Sequence, residues 1–126
     1  MNKPEIAQAY IAFLAKGDLQ QILGLFAEDA IVISPVYGKK DCKDFYTQLF
    51  ADTQNSELHI KGIFEDASTG NIALQFDYAW TLRDGSKVNF EVVDILEFDE
   101  NKKITLLTII YDTVRSRELV KKLEDT

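Results

Sequence analysis

The sequence predicts an α+β fold, with three N-terminal helices packed on one face of a strongly curved antiparallel sheet, a layer that can enclose a pocket. Three observations point there. Apolar residues recur at helical spacing between Ile6 and Phe50, the apolar period drops to two from Glu57 onward, and 126 residues with 46% hydrophobic content suit one core. Residues 1–126 are therefore expected to form a single domain.

Ile6, Tyr10, Phe13 and Leu14 make the inner stripe of the first helix, with Pro4 in its opening turn and Gly17 placed to end it. Asp18 can cap a second helix with Leu19, Ile22, Leu23 and Phe26 inward, after which Ala30 to Val36 turns β-like and stops at Pro35. Asp41 caps a third helix that turns Cys42, Phe45, Leu49 and Phe50 inward, so Cys42 reads as core. In the strands, Leu58, Ile60 and Phe64 alternate first, then Ile72, Leu74, Phe76, Tyr78, Trp80 and Leu82, then Val88 to Phe98. Turn residues at Ser68 to Asn71, Arg83 to Ser86 and Asp99 to Lys102 separate them, and the last strand runs from Ile104 to Asp112. Leu119, Val120 and Leu123 give the tail from Ser116 a helical spacing.

Composition narrows the function. A formal charge of −7 repels phosphate backbones, so no nucleic-acid partner is expected. The longest apolar runs are strand-sized, which excludes a membrane-spanning helix from the expectation. One cysteine, Cys42, and one histidine, His59, leave no Cys/His zinc cluster, and neither metal nor cofactor is expected. The start Met-Asn-Lys-Pro-Glu lacks the apolar core of a signal peptide, which points to the cytoplasm.

Asp94 is the residue that breaks its pattern. In the strand from Val88 it is the sole acid on the parity of Val88, Phe90, Val92, Leu96 and Phe98. A carboxylate facing an apolar interior must be paired, hydrogen-bonded or protonated, so Asp94 is either a site residue or a buried tie for a loop or helix end. Tyr10, on the inner stripe of the first helix, needs a partner for its hydroxyl and by itself reads as core. Phe76, Tyr78 and Trp80 are core or the wall of an apolar ligand site, and His59 falls on the polar parity with Lys61. If Asp99 to Lys102 is the loop, Leu107, Ile109 and Tyr111 share the face of Asp94 and Asp112 points away. Ile104, Leu106 and Ile110 then occupy the other face of the last strand, an apolar surface that a second subunit or the folded-back tail must cover.

Ala9-Tyr10-Ile11-Ala12 followed by Gly17-Asp18-Leu19, then Leu25 to Ala30 and the Pro35-Val36 pair, resembles the opening of ketosteroid isomerases and SnoaL-like polyketide cyclases, both of the nuclear-transport-factor-2-like superfamily. Val93 to Phe98, a short acidic turn and Lys103-Ile104 entering an apolar strand resemble its ending. The resemblance implies a cone-shaped fold, a homodimer and a small, largely apolar ligand with a carbonyl or similar acceptor. Residue by residue, it puts Tyr10 on the isomerases' oxyanion-binding tyrosine, Asp94 on their protonated aspartic acid and Tyr46 on a tyrosine that supports the first.

Two positions depart from the family. The isomerases' general-base aspartate, just before the Pro-Val pair, is Ser34 here, and the cyclases' acid/base aspartate in the last strand falls near Ile109, with Asp112 as an outside candidate. An unassisted serine is too weak a base to remove a proton beside a ketone, so little steroid isomerisation is expected. The implied pocket has Tyr10 and Asp94 as its catalytic pair and Ser34, Tyr46, Phe76, Trp80, Ile109 and Tyr111 against the ligand. It serves an isomerase, cyclase or hydratase, or alternatively a non-catalytic binding or dimerisation module.

Overall fold

In the computed structural model, which describes residues 1–125, α1 spans Lys3–Lys16. A capping box opens it: the Asn2 side chain accepts from the Glu5 N–H at 2.8 Å and Glu5 returns the contact to the Asn2 N–H at 2.8 Å. Gly17, at φ 66°, closes it in the left-handed conformation that glycine adopts without strain. Asp18 caps α2 (Leu19–Leu23) by accepting from the Gln21 N–H. This helix is shorter than the spacing implied. Gly24 ends it, and Phe26 opens β1 (Phe26–Ser34) by pairing with Ile104, so Phe26 belongs to the sheet and not to the helix face.

A short exposed strand, β2 (Gly38–Asp41), folds back on β1; its sequence, Gly-Lys-Lys-Asp, has no apolar alternation to announce it. Asp41 caps α3 (Cys42–Ala51), which buries Cys42, Phe45, Tyr46 and Leu49. Burial pushes the Cys42 thiol up to about 12, so it stays a neutral core group at pH 7. The remaining elements are β3 (Thr53–Glu65), β4 (Ile72–Leu82), β5 (Lys87–Phe98), β6 (Ile104–Ile110) and α4 (Val114–Glu124). No helix among the described residues is long and apolar enough to cross a membrane.

The strands lie in the order β2-β1-β6-β5-β4-β3 in one curled, open sheet. Neighbours pair antiparallel except β1 and β6, which run parallel and make the sheet mixed. β4 alternates as read, with Ile72, Leu74, Phe76, Tyr78, Trp80 and Leu82 all buried under the helices.

Two bulges overturn side-chain assignments made by strict alternation. Pairing jumps from Ile60 opposite Phe76 to Gly62 opposite Gln75, so the parity of β3 inverts. Ile63 then packs against the core and Phe64 is 57% exposed, whereas alternation had put Phe64 inside. In β6, Leu106 faces Glu97 but Ile104 faces Phe98, leaving Thr105 as the extra residue. Ile104 is consequently fully buried instead of sharing the outer face with Leu106 and Ile110.

Candidate functional site

A cavity of about 40 Å³ lies between the inner face of the sheet and helices α1 and α3. Its lining includes eight aromatic side chains among the described residues: Tyr10, Tyr37, Phe45, Phe76, Tyr78, Trp80, Phe90 and Tyr111. Leu14, Ser34, Leu49, Val92, Asp94 and Ile109 complete it. Tyr37, Phe90, Ile109 and Tyr111 are half-buried and mark the mouth, while Tyr10, Phe76 and Asp94 are buried and mark the floor. Such a space holds a few waters or a very small molecule, and anything larger requires the mouth to open.

Sheet pairing places the floor. Asp94 sits opposite Leu74 on one side and Ile109 on the other, so its side chain shares their inward face. It is 1% exposed, and its Oδ1 has no hydrogen-bond partner among the described residues. Burial raises its pKa well above the usual carboxylate range, and this environment favours the neutral acid. Tyr10 reaches the same cavity from α1, and its hydroxyl lies 2.6 Å from that of Tyr46. Burial raises both phenols well above their ordinary value, so both remain hydrogen-bond donors at neutral pH.

Of the residues singled out in the sequence, Tyr10, Asp94, Ser34, Phe76, Trp80, Ile109 and Tyr111 all line this cavity. Tyr46 does not. It is fully buried behind Tyr10, between Phe26 and Phe45, and it can touch a ligand only through the Tyr10 hydroxyl. Asp112 is exposed and outside the cavity, where its Oδ1 accepts the Val114 N–H at the start of α4. His59 is exposed on β3.

The wall's polar atoms are largely committed. Trp80 Nε1 donates to Thr53 Oγ1 at 2.8 Å, and the Tyr78 and Ser56 hydroxyls meet at 2.9 Å. Ser34 Oγ accepts the Tyr37 N–H at 3.0 Å, which ties the turn after β1 and brings Tyr37 into the wall. The Tyr37 hydroxyl in turn donates to buried Asp52 Oδ2 at 2.7 Å. Phe90 and Tyr111 stack at the mouth with ring centroids 4.5 Å apart. Beside it α4 spans two turns: Arg117 donates to the Pro35 carbonyl at 2.7 Å and Arg83 to the Leu123 carbonyl at 3.3 Å.

Sequence reasoning missed Tyr37, Asp52 and Phe90. Phe90 was readable, since it shares the parity of Asp94 in β5. Tyr37 lies in a turn and Asp52 at a helix end, outside any apolar period.

A profile of the SnoaL-like domain matches residues 7–107, and no curated protein sequence matches. Among solved structures, PrhC from Penicillium brasilianum is similar with a TM-score of 0.79 at 16% identity, covering 98% of this chain and 89% of that one. A protein with a ketosteroid isomerase-like fold from Catenulispora acidiphila, in complex with trimethylamine, has a TM-score of 0.75 at 16% identity, covering 86% of each chain. The epoxide hydrolase/cyclase-like enzyme SalBIII has a TM-score of 0.76 at 14% identity, covering 87% of this chain and 90% of that one. At such identities the likeness shows the fold. The profile match spans most of the sequence, from α1 to the middle of β6, and by it the chain belongs to the SnoaL-like domain family.

Proposed function

We propose that this protein binds a small, largely apolar compound through an oxygen atom, with neutral Asp94 and Tyr10 as the two donors to it. The observation that carries this is Asp94 Oδ1, buried at an apolar cavity without a partner among the described residues. A polar atom held there costs stability, and a ligand acceptor would satisfy it. If the ligand is a carbonyl compound, the same two donors stabilise negative charge developing on its oxygen, as an isomerase, cyclase or hydratase requires. The alternative is a binding module that only orients its ligand. Enzymes such as SalBIII among the structural neighbours support the catalytic version.

Substituted phenols mimic an enolate in size and charge and provide the test. Acidic phenols are expected to bind as phenolates, seen in their ultraviolet absorbance, and Asp94→Asn or Tyr10→Phe should weaken them about 10- to 100-fold. Absence of phenol binding, or binding indifferent to both substitutions, contradicts the reading.

One observation favours a second reading. Among the described residues the lining holds a carboxyl group and eight aromatic rings but no Lys, Arg or His, which would also suit an alkylammonium ion. The related fold from Catenulispora acidiphila was solved with trimethylamine. A cation requires ionised Asp94, so tetramethylammonium affinity should rise with pH on this reading and stay negligible on the first.

We further propose a homodimer through the outer face of the sheet. Ile33, Thr108, Ile95 and Ala73 lie side by side across four strands, flanked by Ile31, Leu106, Val93 and Ile110. The tail helix leaves this face open, with Ile33 36% and Ile110 54% exposed. Light scattering should give a dimer mass at micromolar concentration and a monomer mass for Ile110→Glu. A monomeric unmodified protein removes the claim.

A further inference from the structure

The donors on the cavity floor leave open what faces them, and the buried carboxyl of Asp52 supplies an answer. Asp52 is 5% exposed and receives three donors: Tyr37 Oη at 2.7 Å, Gln48 Nε2 at 3.1 Å and the Arg83 guanidinium, whose Nε lies 3.5 Å from Oδ1. In this network the Tyr37 hydroxyl is the donor and Asp52 Oδ2 the acceptor. The Tyr37 hydroxyl proton is therefore committed to Asp52, and the lone pair that Tyr37 retains can only accept. Burial, then the bond to Asp52, holds the Tyr37 phenol far above its ordinary pKa, so Tyr37 does not become an anion in the working range. The Ser34 turn fixes its backbone, and Tyr37 lines the cavity with Asp94.

We propose that Tyr37, oriented by Asp52, is the hydrogen-bond acceptor for a ligand hydroxyl, so that the site selects compounds carrying an acceptor oxygen for Tyr10 and Asp94 and a second, O–H-bearing oxygen for Tyr37. This rests on the oxyanion reading above and names the ligand class within it: a small hydroxylated carbonyl compound or its enol. Asp52 is a positioning residue. It acts by deciding which way the Tyr37 proton points.

The three dihydroxybenzenes and their monomethyl ethers form a probe set in which one oxygen serves the floor and the other either keeps or lacks its proton. Affinities for the folded full chain would be measured by calorimetry or absorbance, with phenol as reference. At least one dihydroxybenzene is expected to bind about tenfold more tightly than its monomethyl ether, and Tyr37→Phe should remove that preference while phenol still binds. In Asp52→Asn the side-chain amide can donate to Tyr37 and turn the phenol into a donor. The preference should then fall away or invert toward the ether, which a merely structural role for Asp52 would not produce. Equal affinities across every pair, or a preference that survives Tyr37→Phe, overturns the proposal and leaves the oxyanion reading standing. Failure of phenol itself to bind overturns both.

Discussion

Asp94→Asn is expected to make the protein more stable at neutral and alkaline pH while weakening its ligand binding. The folded state raises the Asp94 pKa by burial, above the value of about 4 that an unfolded chain gives. Between those two values the folded protein holds a proton that the unfolded chain has lost. Raising the pH through that window therefore favours unfolding, and Asp94 contributes its full stability only below about pH 4. The loss proceeds at up to about 1.4 kcal/mol per pH unit until the folded pKa is reached, after which it stops. Asparagine keeps the shape and has no such proton, so urea unfolding at pH 5 and pH 8 should show the gap widening in favour of the variant. Parallel curves for the two proteins would mean that Asp94 is not strained by burial.

Ser34→Asp is expected to produce the largest gain of function. Ser34 is 7% exposed, lines the cavity and precedes Pro35, the position that the resemblance aligns with the isomerases' base. A carboxylate there can still accept the Tyr37 N–H and preserve the turn. The unmodified protein should isomerise a β,γ-unsaturated ketone poorly, whether a Δ5-3-ketosteroid or the smaller 3-cyclohexen-1-one, which suits the narrow cavity better. A positioned base should raise the rate on the order of 100- to 10,000-fold. Robust isomerisation by the unmodified protein would mean that another group takes the proton; Asp112 points to solvent, so Asp94→Asn, which removes the one carboxyl group lining the cavity among the described residues, would be the first variant to try. No gain despite preserved folding and demonstrated ketone binding would favour the non-catalytic reading.

The parts of this structure that were legible in the sequence are those where one local signal dominates. Asp18, Asp41 and Gly17 sit at helix ends because their side chains or φ freedom solve a local backbone problem, and the sequence displays that solution directly. The alternation of β4 is likewise uninterrupted, and Asp94 stands out against the apolar parity of β5. What failed depended on how one segment pairs with another and not on the pattern within either. Gly62, a glycine inside the alternation, is a local mark of the first bulge, whereas nothing near Ile104 marks the second, because a bulge is completed only by its partner strand. The parallel pairing of β1 with β6 and the bond between Tyr37 and Asp52 are of the same kind, each joining segments that share no periodicity. Resemblance puts Tyr46 near Tyr10, and the structure sets it behind that tyrosine and outside the cavity lining.

The protonation of Asp94 is the point on which the oxyanion reading turns, and carbon-13 NMR of the side-chain carboxyl can observe it, with Asp94→Asn providing the assignment. A carboxyl resonance at the protonated position at pH 7, unchanged when a phenolate binds, is the expected result. A resonance already at the carboxylate position at pH 7 in the ligand-free protein would contradict it.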